Sequence, residues 1–257
     1  ALFIGSVVKV VLILNEAPLI AFAWVVLFDS IILAIGFIYI YNKKNTIFSN
    51  QYLSFNILTA INLLRDSWPL ILSGIVTSIY MRIDQVMIKE MLNTEAVGQY
   101  AAAVRLSEAW YFIPVVVASS LFPAIVNAKK KSEELYYLRL QKLYNLMAWT
   151  AITIAIAMTI LSERFVNLLY GDQYYQAGAV LTIHAWAGIF VFLGVVSGKW
   201  FLSENLQILA FWRVFFGMII NIILNILLIP KYGIQGAAVA TLISQSFAAY
   251  FFDIFSK

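Results

Sequence analysis

The sequence predicts an all-α fold: a polytopic integral membrane bundle of about eight transmembrane helices. Three observations lead there. Of the 257 residues, 63% are hydrophobic and only 12% are charged, roughly half the charged share of a soluble protein. The apolar residues cluster in eight runs. A span needs about 20 apolar residues, and the roughly 162 present suffice for about eight. This composition excludes a soluble enzyme, a disordered chain and a nucleic-acid-binding domain. It also argues against a membrane β-barrel, whose strands alternate polar with apolar residues. Cysteine is absent and histidine occurs once, so no disulfide frame and no Cys or His metal cluster is expected.

The runs are Leu2–Leu14, Pro18–Tyr41, Trp68–Ile88, Glu108–Ala128, Tyr144–Leu161, Ala177–Ser197, Leu209–Ile229 and Ile234–Phe255. Each reads as a helix, because hydrocarbon leaves no other partner for backbone N–H and C=O groups. The first is short and opens directly at Ala1 with no charged leader. It is expected to be the remnant of a longer N-terminal part. Asp29 stands alone in the second run, either as a cavity residue or as a partner for Lys9.

Between the second and third runs, Ile57, Leu58, Ile61 and Leu64 mark one apolar face. That spacing predicts an amphipathic helix on the membrane surface. The third run is the most polar. Ser73, Thr77, Tyr80 and Asp84 share one face; Ser78, Arg82, Gln85 and Lys89 share the next. Ionisable groups are costly in a bilayer and mark functional positions by default. This helix is expected to line a water-filled cavity; the plainer reading is a buried Arg82–Asp84 or inter-helix ion pair.

A loop is expected over Lys89–Glu108, ending in an Arg105/Glu108 pair at i, i+3. Pro114 and Pro123 are expected to interrupt the fourth helix. A basic connection follows over Lys129–Lys142. His184 lies on an otherwise apolar helix, as a packed hydrogen-bonding residue or a proton-linked one. Lys199 closes that region. In the seventh run Arg213, Gly217, Asn221 and Asn225 recur every four residues and face inward. In the eighth, Gly236, Ala240 and Ser244 form a small-residue row that permits close helix packing.

Eleven basic residues fall on one side of the bilayer, including Lys43, Lys44, Arg65, Lys129, Lys130, Lys131 and Lys199. Four fall on the other: Lys89, Arg105, Arg164 and Lys231. The richer side is expected to be cytoplasmic. The chain divides into residues 1–41 as the end of a truncated first lobe, 42–67 as a cytoplasmic linker, and 68–257 as a six-helix lobe. No GxSxG, HExxH or P-loop string occurs. No catalytic residue, metal or cofactor is therefore expected, and energy for any transport would come from a gradient, the membrane potential or downhill flow.

Three strings carry a family resemblance. They are IPKYGIQGAAVAT from Ile229 to Thr241; DQVMI from Asp84 followed by VGQYAAAVRL from Val97 and Glu108; and LYGDQY from Leu169 to Tyr174. In this order they resemble segments of the polysaccharide, or O-antigen (Wzx-type), flippases of the multidrug/oligosaccharidyl-lipid/polysaccharide (MOP) exporter superfamily. The resemblance implies two six-helix lobes in a MATE-like fold. This chain would carry the last two helices of the first lobe and all of the second. The implied activity is moving an undecaprenyl-pyrophosphate-linked oligosaccharide across a bacterial inner membrane by alternating access through a cationic cavity.

A pyrophosphate requires positive charge, and arginine suits phosphate oxygens. The candidate substrate-binding cations are Arg82, Arg105, Lys199 and Arg213. Asp84, Glu108 and His184 are candidates for ion coupling, to H+ or Na+, or for charge tuning. Ser73, Thr77, Tyr80, Asn221 and Asn225 are candidate cavity-lining groups. The implied partners are the lipid-linked oligosaccharide, the bilayer and a polysaccharide polymerase. A lipid II flippase needs the same charge and stays open; a multidrug cation antiporter would favour a more acidic site. An integral-membrane polymerase would need a larger extramembrane loop.

Overall fold

A computed structural model describes residues 2–45 and 56–251, and these are helices joined by short turns. The helices are α1 (Leu2–Leu14), α2 (Leu19–Asn45), α3 (Ile57–Met91), α4 (Thr94–Glu108), α5 (Phe112–Lys129), α6 (Glu133–Tyr170), α7 (Ala177–Ser203) and α8 (Gln207–Ser246). A π-helical turn, Phe247–Phe251, follows α8. The chain forms two units, residues 1–60 and 61–257.

In the first unit α1 and α2 form a hairpin whose turn bonds run from the N–H groups of Asn15 and Ala17 to Val11 and Leu12. Gly5 lies directly against the Asp29 carboxylate, leaving no room for a Cβ. Asp29 is buried, and among the described residues no Lys9–Asp29 ion pair forms.

The second unit packs around two apolar clusters at opposite ends. One joins Ile88, Tyr100, Leu181, Ile229, Ile234 and Ala237, where the end of α3 meets the starts of α4 and α7 and the bend in α8. The other joins Phe122, Tyr136, Leu143, Met147, Phe192 and Val196 from α5, α6 and α7. The ends carry polar ties as well. The Gln99 side chain donates to the Gln173 carbonyl (2.7 Å) at the first. Lys129 pairs with Glu204 (2.7 Å) at the second. Helix α3 thus runs toward the first end, α4 and α5 together run back to the second, α6 and α7 alternate after them, and the Lys129 end holds the lysine-rich connection.

Six stretches are long and apolar enough to cross a membrane: 20–41, 67–91, 94–129, 133–170, 177–203 and 207–250. The eight expected runs reduce to six because Leu2–Leu14 is short and the last two runs form one stretch. That stretch has 44 residues, about 66 Å as a straight helix against about 30 Å of hydrocarbon. It folds back instead. Gly233 breaks α8 at φ 59° and ψ −141°, a region glycine enters without the Cβ penalty. Gly217 lies against Ala248, Asn221 bonds Ser244 (3.4 Å), and Gly236 meets the Leu228 carbonyl. These pairings have the register of an antiparallel hairpin. Two spans joined at 230–233 are what the sequence spacing implied.

Four local expectations change. The 89–108 loop is mostly α4, a helix started by Asn93, whose side chain accepts from the Ala96 N–H (2.8 Å). Glu95 sits in its first turn, where the helix dipole favours an acid. The 129–142 connection shrinks to a short turn, because Ser132 caps α6 and accepts from the Leu135 N–H (3.0 Å). Pro123 lies within α5 without ending it, and Pro114 falls in the first turn, where a missing N–H costs nothing. The break falls at 109–111. The Ile57–Leu64 segment is helical as expected, but as the opening turns of α3. Residues 46–55 of the expected linker and 252–255 of the last run lie outside the described residues.

Candidate functional site

The site centres on Asp84. The Ser73–Thr77–Tyr80–Asp84 row brings Asp84 to the inner side of α3, where its side chain is buried. Tyr100 Oη donates to Asp84 Oδ2 (2.8 Å), and Asn225 Nδ2 donates to Oδ1 (2.7 Å). Thr241 Oγ1 also donates to Oδ2. The donors come from α4 and from both arms of α8, so the Gly233 bend is what assembles them. Around this centre Asn225 Nδ2 also reaches Asn221 Oδ1 (3.0 Å), and Tyr80 Oη shares a 2.8 Å bond with Ser244 Oγ. The amide oxygen of Asn225 is buried without a donor among the described residues. Among the described residues the hydrogen-bond partners of Asp84, namely Tyr100, Asn225 and Thr241, are neutral.

A second group lies beside the first. Arg82, one residue pair away on the adjoining face of α3, forms an ion pair with Glu108 (3.6 Å). Its side chain is 61% exposed and that of Glu108 20%. Arg105 is exposed on α4, and its charge also acts on Glu108. The expected alternative of an Arg82–Asp84 pair is therefore not what forms. Two residues apart on a helix point in directions about 200° apart, so Arg82 looks out while Asp84 looks in. The same geometry gives Glu108 to Arg82 as its ion-pair partner, where the i, i+3 spacing pointed to Arg105.

Between the groups lies a chamber of about 20 Å3, lined by Tyr80, Asp84, Tyr100, Glu108, Tyr111 and His184 among others. This is room for about one water. The three residues grouped for ion coupling, Asp84, Glu108 and His184, thus border one space. His184 is buried and shares a 3.0 Å bond through Nδ1 with Ser107 Oγ. Its ring stands edge-on to Tyr100. This matches the packed, hydrogen-bonded reading.

The other expected residues lie elsewhere. Arg213 is buried between α7 and α8, donating to Ser197 Oγ and lying 5.5 Å from the Phe201 ring centre. Lys199 is half-buried on α7. Neither borders the Asp84 chamber. Ser73 and Thr77 turn their hydroxyls back to the carbonyls of Pro69 (2.8 Å) and Ser73 (2.7 Å). Asn221 and Asn225 are fully buried and belong to the network.

Sequence reasoning missed Tyr100, Thr241, Ser244, Ser107 and Tyr111. Tyr100 and Thr241 lie within the strings quoted above, so a signal was present. At the lysine-rich end, Lys129 Nζ donates to both Glu204 oxygens, and Tyr136 Oη donates to one (2.9 Å). The hydrogen bond from Lys129 holds the Glu204 carboxyl below its ordinary value.

Comparison with known proteins adds the family. Residues 1–179 match the family described as Polysaccharide biosynthesis protein. The chain is 28% identical over 182 residues to the probable low-salt glycan biosynthesis flippase Agl15 of Haloferax volcanii, covering 68% of this chain and 37% of that protein. It is 22% identical over 200 residues to the capsular polysaccharide biosynthesis protein CapF of Staphylococcus aureus, covering 74% and 48%. The chain thus spans less than half the length of these relatives. Among solved structures it is similar to an outward-facing multidrug resistance MATE family transporter of the MOP superfamily, with a TM-score of 0.57 and 18% identity. That match covers 75% of this chain and 44% of the transporter. A MOP superfamily transporter from Pyrococcus furiosus matches with the same TM-score and identity, over 75% and 43%. With its six long apolar stretches, its bent final helix and a family match over most of its length, the chain belongs to the polysaccharide biosynthesis protein family and has the fold of a multi-pass MOP superfamily transporter.

Proposed function

We propose that this chain supplies the last two helices of a first lobe and the six-helix second lobe of a flippase. The flippase moves an undecaprenyl-pyrophosphate-linked oligosaccharide between leaflets of the inner membrane by alternating access. The observation that carries this reading is the pairing of two exposed arginines, Arg82 and Arg105, around Glu108, with a buried carboxylate directly behind them. Guanidinium groups give pyrophosphate oxygens forked, charge-assisted hydrogen bonds. Glu108 holds Arg82 in place without a ligand and releases it to a more highly charged one. Asp84 and its neutral donors serve ion coupling, because a buried carboxylate is costly unless it has a cationic partner or binds a proton or a cation, and among the described residues Asp84 has no such partner. The family and the names of the relatives support the flippase reading.

The test uses the intact gene in cells lacking their own lipid-linked oligosaccharide flippase, with surface glycan as the readout. Restoration by the parent, lost in Arg82→Ala and Arg105→Ala at normal membrane levels, is the expected result. Restoration that survives both substitutions would remove the arginines from the substrate path. No restoration by the parent across matched glycan backgrounds would favour a lipid II flippase or a cation antiporter instead.

A further inference from the structure

At the lysine-rich end of the second unit, the early turns of α3 and the α7–α8 turn enclose a cleft of about 670 Å3. It is separate from the Asp84 chamber. Its polar wall is Arg65 with Asn205 and Gln207; its apolar wall includes Trp68, Leu209 and Trp212. None of those three polar side chains has a hydrogen-bond or ion-pair partner among the described residues. Asn205 stands at φ 58°, a left-handed position that asparagine tolerates better than most residues, and it immediately follows Glu204 of the Lys129 ion pair. The cleft is therefore anchored at the same end as the exposed lysines 129–131.

Three features describe the occupant. The volume far exceeds that of an inorganic phosphate. Two half-exposed tryptophans beside a guanidinium are the groups that settle where acyl chains meet headgroups. The unpartnered cation and the nearby lysines call for negative charge. We propose that this cleft holds an anionic phospholipid of the surrounding bilayer. Its phosphodiester sits on Arg65, with the amides of Asn205 and Gln207 as further donors, and one acyl chain lies along Trp68, Leu209 and Trp212. Basic pockets between membrane helices take lipid headgroups in this way. The lipid would splint α3 to the α7–α8 turn. The proposal concerns binding alone and stands or falls separately from the flippase reading.

The test is native mass spectrometry of the intact, delipidated gene product offered equal amounts of phosphatidylglycerol and phosphatidylcholine. The expected result is preferential retention of phosphatidylglycerol, reduced about fivefold by Arg65→Gln, with phosphatidylcholine retention unchanged. That factor corresponds to about 1 kcal/mol for one basic residue at a lipid headgroup. Arg65 is exposed, so this variant is expected to fold; a second variant, Trp68→Leu with Trp212→Leu, should weaken both lipids. An unchanged preference in Arg65→Gln would overturn the proposal. So would a loss caused only by Lys130→Gln with Lys131→Gln, which would place the lipid outside the cleft. Displacement of phosphatidylglycerol by equimolar polyprenyl phosphate would assign the cleft to a substrate-type lipid and likewise overturn it.

Discussion

Replacing Gly236 by alanine tests whether the α8 hairpin assembles the Asp84 site. A Cβ at this position would lie 2.7 Å from the Leu228 carbonyl carbon and 3.2 Å from the Ile229 nitrogen, both backbone atoms. Ordinary carbon–carbon contact is about 3.5 Å, so the arms must separate by about 0.8 Å. No side chain can rotate aside to absorb this. Overpacking of this kind costs about 1–3 kcal/mol. Alanine returns up to about 1 kcal/mol through helix propensity, so the net loss is about 0–3 kcal/mol. Gly74→Ala isolates the propensity contribution, because among the described residues nothing outside its own helix turn lies within 4 Å of the added Cβ. Thermal unfolding of both variants in the same nanodiscs should separate them by about 1–3 kcal/mol, the cost of the clash. Thr241 and Ser244 lie on the displaced arm, so Gly236→Ala should also lower transport while Gly74→Ala does not. A Gly236→Ala protein as stable and as active as Gly74→Ala would refute the hairpin register.

Three further outcomes follow from the same geometry. Gly233→Val forces a β-branched residue to φ 59° and should cost about 1–3 kcal/mol, read by the same unfolding assay; no loss would mean that the α8 bend does not need this conformation. Tyr100→Phe removes a donor to a buried carboxylate and should cost about 1–3 kcal/mol, whereas Tyr175→Phe, at an exposed position, should be neutral in that assay. Lys129 holds the Glu204 carboxyl below its ordinary value, so this pair stabilises the fold fully above the unfolded-state value of about 4.3. That stabilisation is lost as pH falls through the lower folded value. Stability measured from about pH 5 to about pH 3 should drop in the parent more than in Glu204→Gln; equal acid sensitivity would show that the pair contributes nothing.

Much of the helix architecture was legible because membrane helices announce themselves by length and apolarity. The bend at Ile229–Ile234 was visible as a polar, Pro- and Gly-containing gap. The inward faces were visible too: the Asn221/Asn225 and Tyr80/Asp84 rows are buried as their spacing of about four residues implied. Helix α4 was hidden because its sequence is of only moderate polarity and short, so its Asn93 cap was the sole strong cue. The extension of α6 through Arg139 and Lys142 was hidden for a related reason. Charge reads as loop in a membrane sequence, although the helix simply continues past the hydrocarbon.

By itself the sequence determined the class of the protein and several of the rows that face inward, since both depend on composition and local period. Only the tertiary structure decided the partners. Periodicity assigns a residue to a face but does not say which other face will meet it, whether that face lies a few turns or more than a hundred residues away. Asp84 meets Thr241 and Asn225, Arg82 meets Glu108, and Arg213 is enclosed between α7 and α8. Those pairings follow from how helices pack once Gly233 lets α8 turn back, and that packing is not encoded in any single window of the chain.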